Sequence, residues 1–375
     1  MIGLACAWRM AQAGAKVAVF ERGVVGREAS WAAAGMLAPQ CEAAHHPPEA
    51  DSDGMAGRAA MFDLCLQSRA LYPAFADELF DTTGIDIELS LRGHARGDWR
   101  QPGILYVETR DDDRAIAAFE AQRGQGQRVE ATPDYPGTHA VWLPDEGQVH
   151  NRKLLKALRL AVLQAGVKIS QYSAKRVSRL FDTRWCEDRI NIDVALGVQC
   201  DKVLVCAGAW SHGIGNLPPH CQIPVRPIAG QMMAVRAFAR SQRRFIPHII
   251  YGSDVYLVPR RDGQVLIGAT MEDSGFHKKV TVRGTTSLLR AARSLVPEIE
   301  EFVIEDQWAG LRPASEDGLP ILGSTPLENL FVATGHFRNG ILLTPITAQL
   351  MADCVLNGVE APAAFGISRF AVGVA

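Results

Sequence analysis

Residues Met1–Glu21, MIGLACAWRMAQAGAKVAVFE, decide the fold. Gly3 opens an apolar helix that carries Leu4, Ala5, Ala7, Trp8 and Ala11, and Gly14 supplies the left-handed stop that helix ends favour. Lys16–Glu21 reads as a short buried strand ending on an acid. Helix, glycine, strand and terminal acid, in that order, form the second half of a βαβ dinucleotide-binding unit. In such a unit the third glycine of G-x-G-x-x-G lets the helix pack close to the preceding strand, and an acid about 20 residues on bonds a ribose hydroxyl. Gly3 and Glu21 fit these two roles. The preceding strand and the first two glycines are not in the sequence, so the reading expects either a start further upstream or a damaged copy.

With 375 residues the chain has room for two domains with real cores. It is 47% hydrophobic and 21% charged, as soluble globular proteins are. A net charge of −2 and the lack of a basic stripe argue against a nucleic-acid partner. No apolar run approaches the ~18 residues that an integral membrane segment needs, and the N-terminus lacks the parts of a signal peptide. The eight cysteines are scattered without a C-x-x-C pair, which points to a reduced, cytoplasmic protein.

The remaining chain alternates between two styles. Arg22–Pro39 is rich in small residues, and Ser30 to Gly35 could let backbone approach a ligand closely or simply pack tightly. Residues 40–56 read as an exposed loop; His45 and His46 within it lack further ligands at useful spacing, so no metal site is expected. A helix is expected over Arg58–Asp81, strands at Ile85–Leu89, Ile104–Glu108 and Ala140–Leu143, and a helix over 111–125. Asn151 caps a helix over Arg152–Ala165 that Gly166 closes, followed by a strand at Val167–Gln171. Asp201–Gly208 is a buried strand running into a glycine turn, where doubly wound sheets hold ligands. Strands at Gln231–Val235, Val255–Pro259 and Gln264–Ala269, a helix over Thr285–Leu295 and a strand at Phe302–Trp308 form a second sheet-rich stretch. Leu330–Thr334 and a helix from about Pro345 to Leu356 return to the first style.

Arg312, between Gly310-Leu311 and Pro313, reads as an arginine on a fixed turn, able to grip a carboxylate bidentately or to sit in a surface loop. Arg338 lies just before the last helix, whose amino end adds partial positive charge, so the two arginines together would make an anion-binding corner. The Tyr256 hydroxyl could complete that corner, or the ring could belong to the core. No G-x-S-x-G elbow, H-E-x-x-H or Walker loop is present, which assigns the hard chemistry to a cofactor rather than to side chains.

Taken together, IGLACAWRMAQAGAKVAVFERG, REASWAAAGMLAP, VLVCAGAWS, VYLVPR, VLIGATM, WAGLRPASEDGLPILG and FVATGHFRNGILLTPITAQLMAD resemble the amino-acid oxidase family of FAD enzymes, and within it the glycine oxidases of thiamin biosynthesis. The motifs keep the family's order across nearly the whole chain. The resemblance implies an α/β fold in which a Rossmann-like FAD-binding domain (residues 1–42, 145–220 and 309–375) is interleaved with an antiparallel-sheet substrate domain (43–144 and 221–308). It implies FAD held noncovalently, with Glu21 on the adenosine ribose, Gly3 by the pyrophosphate, and Arg22 and His336 also among the cofactor-binding residues. Ser30, Ala33, Ala34, Gly35 and Met36 would follow the phosphates to the flavin, Gly208 would close over the cofactor, and Arg338, Asn339, Gly340, Ile341 and Leu342 would border the ring. Arg312 would hold the substrate carboxylate beside Tyr256 and Arg338, while Met36, Met271 and Asp254 line the pocket. Asp254 stands where some relatives carry a histidine, and the 43–56 loop is longer than the family needs.

The implied reaction is oxidative deamination of glycine or a small amine by dioxygen, in a homo-oligomer that hands its product to a thiazole synthase. Other readings are a D-amino-acid dehydrogenase that passes electrons to a quinone, an inactive N-terminally truncated copy, and an ordinary NAD dehydrogenase, which leaves the later motifs unexplained.

Overall fold

A computed structural model describes residues 1–45, 52–95, 102–109, 113–132, 139–171, 176–180, 189–193, 198–215, 217, 221–237 and 246–370. The opening helix spans Ile2–Gln12 and buries Leu4, Ala5, Ala7, Trp8 and Met10. That face packs on the helices Asn151–Gln164 and Thr344–Asn357, and Gly14 takes the left-handed turn that follows, at φ 89°.

Two small sheets of mainly parallel strands flank this helix. Ala18–Phe20 pairs in parallel with Lys168–Ser170. Val203–Val205 pairs in parallel with Leu330–Thr334, which pairs antiparallel with Ile321–Ser324. Parallel strands with helices packed over them form the expected α/β nucleotide-binding half.

The other half is an eight-stranded sheet in the order Phe302–Ser315, Val225–Ala237, Gln264–Gly268, Tyr256–Pro259, Ile249–Gly252, Ile104–Val107, Ala140–Leu143 and Glu130–Ala131. Every neighbouring pair is antiparallel except Ile249–Gly252 with Ile104–Val107. Asp262-Gly263 makes the expected hairpin turn, with Gly263 at φ 89°. One sheet face packs against Val282–Leu295 through Leu288, Ala292 and Leu295, and the other carries Tyr106, Tyr251, Met232 and Trp308 toward the rest of the molecule.

Several local expectations are corrected. Residues 40–45 are not an exposed loop: Pro39–His45 is a helix with Gln40, Cys41 and Ala44 buried. Its polar residues conceal it, because they point at buried partners rather than at water. His45 stands edge-on to Tyr251 at 5.0 Å and donates from Nε2 to the Ser253 carbonyl at 3.1 Å, while His46 lies outside the described residues. Residues 85–89 form no strand, since Glu88 adopts φ 53°, which breaks an extended run.

Gly310 to Pro313 is not a turn but the continuation of the Phe302–Ser315 strand, in unbroken register with Val225–Ala237 past that point. The helix at 151 is capped by His150, whose side chain accepts from the Lys153 amide; the Asn151 amide instead donates to the carbonyls of Ser30 and Trp31. None of the described helices is long and apolar enough to cross a membrane.

Candidate active site

A cavity of about 1240 Å³ runs from the Glu21 end of the first sheet, past the opening helix, to the face of the large sheet. Its volume exceeds the usual ~300–1,000 Å³ of a small-ligand pocket, as an extended dinucleotide plus a substrate requires. Met1 to Leu4 line it, so the amides at the start of an 11-residue helix, which have no partner inside the helix, face the cavity. Glu21 presents its carboxylate at the end of the adjoining strand, with Oε1 accepting from the Gly23 amide at 3.0 Å. The Arg22 guanidinium lies 3.7 Å from the centre of the Trp210 ring. Gly3 packs so close to the strand end at Cys206 that a Cβ there would meet the cysteine Cβ at 3.1 Å.

The wall beyond is built of small residues held by buried polar contacts. Ala29–Ala32 is a short helix against the Phe302–Ser315 strand, where Trp308 Nε1 donates to the Ala32 carbonyl at 3.0 Å. Gly35 adopts φ 78°, and a Cβ on it would fall 2.1 Å from the Val149 carbonyl oxygen. The buried Arg260 guanidinium donates to the carbonyls of Ala34 and Val149 and to the side chains of Gln148 and Asn151, fixing Ala33–Met36 along the cavity. On the opposite side Gly208, at φ 55°, is pinned through its carbonyl by the hydroxyls of Ser211 and Thr334. Anion-seeking amides at one end, a carboxylate for hydroxyls nearby and a Cβ-poor wall between them fit FAD.

Five polar side chains converge at the sheet face. Arg312 projects from its strand into space that exists because Gly230, on the neighbouring strand, has no side chain. It donates to the Thr270 carbonyl at 3.0 Å. Burial pushes the guanidinium down from its ordinary value, opposed by Tyr256 beside it, yet it stays charged. The Tyr256 ring fits against Gly268, where a Cβ would meet its hydroxyl at 2.8 Å, and burial raises its pKa.

Arg338 is brought close by the Ala314–His336 bridge and by the Phe337 amide, which donates to the Pro313 carbonyl at 2.9 Å. Its Nε and Nη2 donate to Glu42 at 2.8 and 3.0 Å, and Nη2 also donates to the Tyr251 hydroxyl at 2.6 Å. Burial works against this cation, but Glu42 together with Tyr251 and Tyr256 outweighs it and holds Arg338 well above the ordinary arginine value. The expected corner of two arginines therefore carries one neutralised guanidinium and one, Arg312, whose donors go to carbonyls and a tyrosine.

The cavity gathers Gly3, Glu21, Arg22, Ser30, Ala33, Ala34, Gly35, Met36, Gly208, Tyr256, Arg312, His336, Arg338, Asn339, Gly340 and Ile341. Leu342 is buried behind this wall, where its carbonyl accepts from Ser68. Met271 is 59% exposed and Asp254 is also exposed; neither lines the cavity, and Met232 stands at the sheet face instead. Sequence reading missed Glu42, Tyr251, Gly230 and Arg260. Only Gly230 left a signal, as an isolated glycine within an apolar strand run.

The model of the family described as FAD dependent oxidoreductase matches residues 1–354. The chain belongs to this family. It is an FAD-dependent oxidoreductase. It is 34% identical over 368 residues to the glycine oxidase of Geobacillus kaustophilus, covering 95% of this chain and 90% of that one. It is 32% identical over 374 residues to the glycine oxidase of Pseudomonas aeruginosa, with 96% and 93% covered. It is also 33% identical over 392 residues to the bifunctional protein ThiO/ThiG of Trichormus variabilis, and spans 54% of that longer protein. The crystal structure of the Geobacillus kaustophilus glycine oxidase superposes with a TM-score of 0.83 at 31% identity, over 100% of this chain and 96% of that one.

Proposed function

We propose that this protein oxidises glycine or a similarly small amino acid at its C–N bond. Glycine, dioxygen and water give glyoxylate, ammonia and hydrogen peroxide. The observation that carries the reading is the Arg312 cation, which forms no ion pair with the described residues, beside Tyr256 at the end of a cavity shaped for FAD. When bound, FAD would take two electrons from the substrate and pass them to dioxygen. Arg312 holds the carboxylate, which fixes the α-carbon against the cofactor wall, so that positioning supplies much of the rate. Tyr256 narrows the space beside that carboxylate, and burial keeps its hydroxyl protonated as a donor. Met36 and Met232 line the same end of the cavity with apolar side chains. The similarity to glycine oxidases over most of their length supports the choice of substrate.

Our reading extends to noncovalent FAD, a cytoplasmic homo-oligomer, and delivery of product toward a thiazole synthase. The resemblance to a bifunctional ThiO/ThiG protein supports that last step. The test is anaerobic addition of glycine to the FAD-loaded protein, followed by air. Bleaching of the flavin bands, then one peroxide per glycine consumed, is the expected result. Bleaching without peroxide would transfer the chemistry to a quinone-type acceptor, and no bleaching by any small amino acid would overturn the proposal.

A further inference from the structure

The pocket holds two guanidiniums and one carboxylate close together: Arg312, Arg338 and Glu42, all largely buried. The carboxylate pairs directly with one guanidinium, Arg338, and reaches Arg312 only through space. Both Glu42 oxygens accept from Arg338, at 2.8 and 3.0 Å, and the Tyr251 hydroxyl accepts from the same guanidinium at 2.6 Å. Arg312 is spent on backbone carbonyls and on Tyr256, none of which bears a charge. One net positive charge remains, and it lies at Arg312.

We infer that Glu42 is a specificity-determining residue that restricts the site to ligands with a single anionic group. A monocarboxylate amine matches the one uncancelled cation. A second acid group on the ligand would enter a low-dielectric space where Arg338 is already neutralised and where the Glu42 charge repels it. Removing the Glu42 charge turns Arg338 into a second anion anchor, so the same cavity would then accept dicarboxylates. This inference rests on the reading of Arg312 as the carboxylate anchor.

The experiment compares dissociation constants of acetate, malonate and succinate for the FAD-loaded protein, followed by flavin absorbance and calorimetry. Wild type is expected to prefer acetate. Glu42→Gln is expected to improve malonate or succinate relative to acetate by about tenfold or more, since close charge pairs govern such discrimination. The gain should vanish in Glu42→Gln with Arg338→Met, which removes the released cation. Should Glu42→Gln not fold, Glu42→Ala removes the same charge with a smaller side chain and carries the same expectation. A ratio unchanged in the single variant, or a gain that survives in the double one, would overturn the inference while leaving the anchor intact. Failure of wild type to bind acetate would overturn the anchor and this inference together.

Discussion

Gly230 and Arg312 face each other diagonally across paired strands, and a Cβ on Gly230 would lie 2.3 Å from Nη1 of Arg312. The obstruction falls on the far end of a flexible side chain, so the guanidinium would swing aside while the strands stay paired. Gly230→Ala should therefore raise KM for glycine about tenfold or more, ~1.4 kcal/mol of lost binding. Thermal unfolding should stay close to wild type, since alanine suits a strand better than glycine does. Steady-state kinetics beside a melting curve check the split, and equal loss in both would refute it.

Arg312→Met should remove the carboxylate anchor directly. A hydrogen bond to a charged group contributes about 1.5–3 kcal/mol, so kcat/KM for glycine should fall roughly 10- to 150-fold. Arg312→Lys should recover little, because a point charge cannot reproduce a planar fork. Flavin content, measured by absorbance, should match wild type in both variants.

Arg260 acts at a distance from the reacting atoms. It is 2% exposed and gathers the carbonyls of Ala34 and Val149 beneath the Ala33–Met36 wall. Arg260→Met would leave those buried acceptors without a donor, at about 1–3 kcal/mol each. The expected result is a lower melting temperature together with weaker FAD retention on dilution. A variant with normal FAD affinity would separate this arginine from the cofactor wall.

His336 sets a pH dependence of stability. Its ring pairs with the Thr347 hydroxyl at 3.1 Å, and burial pushes its pKa from 6.5 down to about 3. The folded state then binds fewer protons than the unfolded one between those values, so this stabilisation is present above about pH 6.5 and lost as pH falls toward 3. His150, also pushed down to about 3, acts in the same direction. Glu146, raised by burial to about 7, acts in the opposite one. The informative quantity is the difference between wild type and His336→Gln. The variant should lose up to about 1.4 kcal/mol less per pH unit below 6 in denaturant titrations.

The parts of the site that were legible in the sequence are those whose role is written locally. Gly3, Glu21 and Gly208 sit in a strand–glycine–helix grammar that any short window reveals. Arg312 and Arg338 were recognisable by type, but not by state. The turn expected around Arg312 proved to be strand because its neighbours Gly310 and Pro313 are accommodated by long-range pairing, Pro313 opposite Pro227. Glu42 was read into an exposed loop because its run of polar residues resembles one, and nothing nearby in sequence names Arg338 as its partner. Arg260 was equally silent, since its acceptors, two main-chain carbonyls and two side-chain amides, all lie more than 100 residues away in the chain.

Glu42 and Arg338 stand 296 residues apart, with Tyr256 and Arg312 between them in the chain. The reacting corner is thus stitched from widely separated stretches of the polypeptide, and it closes a long loop. A nascent chain on the ribosome holds no complete site until Arg338 has emerged. Recovery of catalysis during refolding should consequently trail the recovery of helix and sheet, and mark the moment these two distant stretches meet.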